Sequence, residues 1–248
     1  MQQYIVKPND TLFLIAKEFD VPLAQLINAN PQIANPNLIH EGQTIIIPDL
    51  PPIPDQVGVL ESNALSIIED VIMGNWQSAI DRVNTIRTTM NGLVPILQAA
   101  QVPNDVVFGL NAAIRTLEQN LLQRRTFSAI SQANRITQLI PDALDFFNVI
   151  IPTDVMRLAF FARQMIVNVE QNDWAEAFQN YRRALAVWQR IRPELEPGYA
   201  GDVSDFDQVF NALNESMDRR NYQAAINNAD RMLELINVIT ADFEQLYT

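Results

Sequence analysis

The sequence predicts two fold classes in one chain: a small α+β module at the N-terminus, then an all-α region of four helical hairpins. Three observations carry that expectation. β-prone runs at residues 4–7 and 44–47 bracket two short helical patterns. Eight of the 14 prolines fall at or before residue 54, four of them at positions 48, 51, 52 and 54. Beyond residue 56, apolar residues keep helical spacing and a short motif returns every 48 to 50 positions.

Tyr4-Ile5-Val6-Lys7 opens the module as a strand. Asp10 reads as the N-cap of a helix that carries Leu12, Ile15, Ala16 and Phe19 at helical spacing. Pro22 suits a first helical turn and opens a second pattern, Leu23-Leu26-Ile27, closed by Asn28-Ala29-Asn30-Pro31. Thr44-Ile45-Ile46-Ile47 is the second strand, stopped by Pro48, so the order is strand, helix, helix, strand.

These residues resemble a LysM module. The resemblance rests on Tyr4-x-Val6-x-x-x-Asp10-Thr11-Leu12-x-x-Ile15-Ala16, then Leu26-x-x-Ala29-Asn30-Pro31-Gln32-Ile33. It continues through Asn35-Pro36-Asn37-Leu38-Ile39 and Gly42-Gln43-x-Ile45-x-Ile47-Pro48, covering residues 2–48. It implies a βααβ fold that binds N-acetylglucosamine-containing glycans: peptidoglycan, chitin and their oligomers. It also implies a shallow groove between two loops, Asn9, Asp10, Thr11 and Leu12 on one side and Asn30, Pro31, Gln32 and Ile33 on the other. Acetamido sugars need amide hydrogen bonds and an apolar rest for the methyl group, and they need no charge. Where the family usually places Gly before Asp-Thr, this chain has Asn9, a residue that tolerates left-handed backbone. Beside the groove stand simpler roles, with Asp10 as a cap, Leu12 as core and His40 as an exposed loop side chain near Gly42.

The stretch Pro48-Asp49-Leu50-Pro51-Pro52-Ile53-Pro54-Asp55 cannot hold a helix or a central strand and is expected to be an extended, semi-rigid spacer. The chain is therefore divided into a module at 1–49, a linker at 50–55, and helical regions at 56–150 and 151–248. Asn75-Trp76-Gln77-Ser78-Ala79-Ile80 returns as Asp173-Trp174-Ala175-Glu176-Ala177-Phe178. Arg219-Arg220-Asn221-Tyr222-Gln223-Ala224-Ala225 resembles Arg124-Arg125-Thr126-Phe127-Ser128-Ala129 with one residue deleted. Alanines 79, 129, 177 and 225 are thus 50, 48 and 48 positions apart, each interval the length of one helical hairpin.

Second helices carry stripes such as Ile80, Val83, Ile86, Met90 and Phe178, Tyr181, Leu185, Trp188, Ile191. Breakers fall at Pro103, Pro152 and Pro197 to Gly201. The first and third repeats share Trp at the turn and a proline sixteen residues after the alanine, at Pro95 and Pro193. The alternation favours two four-helix bundles in tandem, with a continuous solenoid as the alternative. Trp76, Trp174, Phe127 and Tyr222 are expected to staple the hairpins together.

Composition excludes much chemistry. No cysteine means no disulfide, thiolate zinc site or cysteine nucleophile, and a lone histidine, His40, cannot furnish a His-rich metal site. The seven glycines form no phosphate-cradling turn, so no cofactor is expected. A net charge of −12, with no Lys/Arg run longer than two, argues against nucleic acid and anionic membrane as partners. Acidic residues such as Glu61, Glu69, Asp70 and Asp81 read as solvated helix faces and caps rather than a glycosidase pair.

The leading expectation is a non-enzymatic binding protein: the module grips glycan while the helices hold a protein partner or self-associate. The chain opens without a basic, apolar leader, so synthesis in the cytoplasm is expected, with a setting at a spore envelope or cell wall. In that arrangement it is similar to leaderless spore-morphogenesis LysM proteins. A structural subunit of a phage tail, injection device or extracellular filament is the alternative, and a carboxylate peptidoglycan glycosidase a third.

Overall fold

The computed structural model describes residues 2–19, 21 and 23–247. Strands β1 (Gln2–Ile5) and β2 (Thr44–Ile47) pair antiparallel, with Gln2 opposite Ile47 and Ile5 opposite Thr44. Backbone pairing continues to Val6, whose N–H donates to the Gln43 carbonyl at 2.9 Å while Gly42 donates back to the Val6 carbonyl. The strand starts earlier than the β-prone run because main-chain pairing extends it through Gln2 and Gln3, whose side chains face solvent.

Helices α1 (Leu12–Glu18) and α2 (Leu23–Asn28) cover one face of this ribbon. Tyr4, Leu12, Ile15, Leu26 and Ile45 are among the side chains of their shared core. Pro22, expected to open α2, lies outside the described residues. Thr11, not Asp10, caps α1: it has extended backbone and its side chain accepts from the Leu14 N–H at 3.1 Å. Asp10 is unavailable because its carboxylate already accepts from the Tyr4 hydroxyl and the Lys7 N–H.

Eight helices follow: α3 (Asp55–Ile72), α4 (Trp76–Ala99), α5 (Asn104–Leu122), α6 (Thr126–Leu144), α7 (Asp154–Glu170), α8 (Trp174–Leu195), α9 (Ala200–Asp218) and α10 (Tyr222–Tyr247). They form the hairpins α3–α4, α5–α6, α7–α8 and α9–α10. α3 packs on both α4 and α6, and α4 on α5, which closes the first four into a bundle. α7 closes the second against α8 and α10, with α9 between them. A solenoid would leave these rings open. Each bundle has its own apolar core, and the two join where α6 packs on α7. None of the described helices is long and apolar enough to cross a membrane.

All four hairpins turn by the same device. In these turns the residues at positive φ are Gly74, Arg124, Asn172 and Arg220. The next N–H reaches back into the preceding helix, Asn75 to Asp70, Arg125 to Asn120, Asp173 to Asn168 and Asn221 to Ser216. Alanines 79, 129, 177 and 225 make the first backbone bond of each second helix and are at most 1% exposed, so neighbouring helices approach closely there.

The linker is extended only as far as Pro54, since Asp55, expected to be part of the spacer, already opens α3 after the Pro54 cap, and it is tethered. Asn148 of the α6–α7 connection donates its N–H to the Pro51 carbonyl at 2.8 Å, and Pro52 bridges to Asn148. The module is also held by Gln25, whose amide donates to the Phe147 carbonyl, and by the Leu23 N–H on the Tyr247 hydroxyl.

Candidate functional site

The tight turn that starts the site depends on Asn9, which takes the left-handed conformation at φ 68°. Without that reversal the chain could not pass from β1 into the cap of α1, so Asn9 occupies the glycine position of the motif with little strain. Downstream of it, Tyr4 and Lys7 clamp Asp10 at 2.8 and 2.7 Å. The Lys7 N–H first, then the Tyr4 hydroxyl, hold the Asp10 carboxyl below its ordinary range, so it is anionic at neutral pH.

Asp10, Thr11, Leu12 and Phe13 form one wall of a cleft of about 560 Å³. Leu23 and Ile27 of α2 line it next, and Pro36, Asn37 and Ile39 of the α2–β2 loop face it. The fourth side is not part of the module. Gln189, Arg190, Pro193 and Glu194 of α8 line it.

Of the expected groove residues, three line this cleft: Asp10, Thr11 and Leu12, the last 2% exposed and mainly core. Asn9 is exposed beside them. Asn30 does not face them. It is fully buried, with its amide donating to the Leu26 and Ile46 carbonyls and its oxygen accepting from the Ile46 N–H and from Gln32. Its amide is thus fully engaged, and the two bonds with Ile46 tie the end of α2 to β2. Ile33 is core, and Pro31 lines a different cleft, between the module, the proline-rich linker and the first bundle. The α2–β2 loop therefore meets the first loop through Pro36–Ile39, because Asn30 anchors the start of that loop beneath β2.

Polar groups open to a ligand are few. The Asn37 side-chain amide and the Gln189 amide have no partner among the described residues, though both line the cleft. The Thr11 oxygen accepts from Leu14 and leaves its hydroxyl hydrogen free. Glu194 is 9% exposed and accepts from the Tyr247 hydroxyl at 2.8 Å. Burial first, with the nearby Asp154 charge adding, pushes its carboxyl up to about 7. Arg190 is fixed at the rim by two bonds to Asp154, 2.6 and 2.7 Å.

Sequence reasoning missed Phe13, and missed Pro36, Asn37 and Ile39 as site residues although they stand in or beside the quoted motif. Nothing local to α8 could have pointed to Gln189 or Glu194. Among the described residues no group of three or more His, Cys, Asp or Glu gathers as a metal site.

Comparison with known proteins agrees with the local fold. A 64-residue stretch is 44% identical to the N-acetylmuramoyl-L-alanine amidase XlyA of Bacillus subtilis (strain 168), covering 23% of this chain and 21% of that protein. The chain therefore spans about a fifth of that relative's length. No solved structure matches the chain significantly. The LysM domain family matches residues 4–48, and with the βααβ order and its single shared core, this segment is an N-terminal LysM domain.

Proposed function

We propose that this protein binds N-acetylglucosamine-containing glycan, peptidoglycan or a chitin-like chain, through the cleft at Asp10–Phe13 and Pro36–Ile39. Its helical bundles then act as a scaffold that holds a protein partner or a second copy. The observation that carries the reading is the pairing of a LysM domain with a cleft whose apolar floor, Leu23 and Ile27, lies beside an unpartnered amide at Asn37. A sugar face and an acetamido methyl rest on the first, and the amide both donates to and accepts from the N-acetyl group. A similar segment occurs in a protein named as an N-acetylmuramoyl-L-alanine amidase, which is consistent with a peptidoglycan setting.

The division at 1–49, 50–55, 56–150 and 151–248 serves this role: one gripping module, a tethered connection and two bundles. Support for a scaffold comes from the hairpin turns, at the helix ends away from the module. Ile72, Met73 and Leu122 are 68%, 73% and 65% exposed there, beside Arg124 and Arg125. A cell-wall or spore-envelope location fits the same assignment.

A second reading, glycan cleavage, has one observation in its favour, since Asp10 and Glu194 put carboxyls on opposite walls. Binding is preferred because both groups already serve the structure, Asp10 in its turn and Glu194 on Tyr247. Calorimetric titration of the full chain with N-acetylglucosamine oligomers tests the assignment. Saturable heat that disappears in Asn37→Trp is expected. No heat with the wild type, or the same heat in the variant, refutes it, and release of reducing sugar from sacculi favours cleavage.

A further inference from the structure

One side of the cleft on the LysM module is built from Gln189, Arg190, Pro193 and Glu194 of α8, far from the module in the chain. Two independent contacts fix that arrangement. The Leu23 N–H reaches the Tyr247 hydroxyl, which itself donates to Glu194 at 2.8 Å, so α2, α8 and α10 meet at one point. Gln25 anchors the same helix to the Phe147 carbonyl of the α6–α7 connection. α8 is thereby held facing Asp10–Phe13 across the cleft.

The wall offers the groups a neutral sugar needs. Gln189 is exposed and its amide has no partner among the described residues, although it lines the cleft. Pro193, also exposed, presents an apolar ring one helical turn away. Across the cleft stands the other unpartnered amide, Asn37. Two amides on opposite walls suit a chain whose acetamido groups alternate in direction from one residue to the next, because each can both donate and accept. Charge selects further. Asp10 is anionic and Arg190, the one cation lining the cleft among the described residues, is already paired with Asp154, so the cleft suits the uncharged N-acetylglucosamine residues of such a glycan.

We propose that the glycan site is two-walled: α8, through Gln189 and Pro193, grips the opposite edge of an N-acetylglucosamine chain seated on the LysM groove. This rests on the glycan-binding reading above and extends it to the second bundle. The second bundle is then part of the binding site as well as a scaffold.

The test is titration of tetra-N-acetylchitotetraose into the full chain, its Gln189→Ala variant and its Asn37→Ala variant, with circular dichroism confirming unchanged helix content. Alanine suits the exposed face of α8, so folding is preserved. Loss of one or two hydrogen bonds should weaken binding about three- to tenfold in each variant. If Asn37→Ala weakens binding while Gln189→Ala leaves it equal or tighter, the groove is single-walled and α8 merely adjoins it. If wild type fails to bind, the glycan reading itself falls and the two-walled site with it; if it binds and neither variant changes affinity, the glycan lies outside this cleft and the two-walled site falls alone.

Discussion

At the scale of single residues, backbone conformation and proton affinity decide most of what can be tested. Arg124 and Arg220 sit at φ 49°, the region where a Cβ crowds the following carbonyl, whereas Gly74 fills the equivalent turn without that conflict. Replacing either arginine by glycine should stabilise the chain by up to about 1 kcal/mol, the relief of strain exceeding glycine's extra unfolded-state entropy. Urea unfolding reads this directly, and a loss of stability would mean the arginine side chains contribute more than the turn costs. Glu194 gives a pH signature. Its carboxyl titrates near 7 when folded, well above an unfolded glutamate at about 4.3. Between those values the folded state keeps a proton the unfolded chain has lost, so stability falls as pH rises through the window and stays lower above it. Glu194→Gln keeps an acceptor for Tyr247 and removes the titration. Thermal unfolding should show the variant gaining on wild type from pH 5 to pH 8 by about 1–3 kcal/mol, and parallel curves would contradict the assignment.

At the scale of elements, the joint between bundles is a charge cluster. Arg157 of α7 bridges Asp142 and Asp145 at the end of α6, and Asp154 joins it to Arg190 of α8. Asp154 is 3% exposed, so its two cations neutralise a carboxylate that could not otherwise be buried. Asp154→Ala should cost about 1–3 kcal/mol, since Arg157 retains two carboxylates while Arg190 is left at the surface. Denaturant midpoints for Asp154→Ala, Arg190→Ala and the double variant measure the coupling, and additive losses would show that the pair is incidental.

The hairpins themselves were legible because their signals are local. A small residue at the close contact, an aromatic two or three places before it and helical apolar spacing all lie within a few positions, whereas the left-handed turn at Arg124 and Arg220 carried no such signal. Phe127 shows the limit: it stands one place closer to Ala129 than Trp76 does to Ala79, points outward at 40% exposure and staples nothing fully. Trp174 and Tyr222 instead bond Asn172 and Glu170. The cap of α1 went to Thr11 because a tertiary-like clamp from Tyr4 occupied Asp10, a competition that propensity does not describe. The second wall was illegible for a related reason. Gln189 and Glu194 read as ordinary polar faces of a helix, and only the docking of α2 on Tyr247 brings them to the groove.

At the scale of the whole molecule, the chain has two ends. The module, the tethered linker, the α6–α7 connection and the end of α8 gather at one, while the hairpin turns with their exposed Ile72, Met73 and Leu122 lie at the other. A binder that holds glycan at one end and protein at the other needs no catalytic group, and its affinity for an insoluble wall grows when several copies are held together. The most direct test of this account is co-sedimentation of the full chain with purified sacculi in the presence of soluble competitors. The chain is predicted to pellet with sacculi and to be released by N-acetylglucosamine oligomers but not by glucose oligomers of equal length, which lack the acetamido group. Failure to pellet, or release by both oligomers alike, would contradict it.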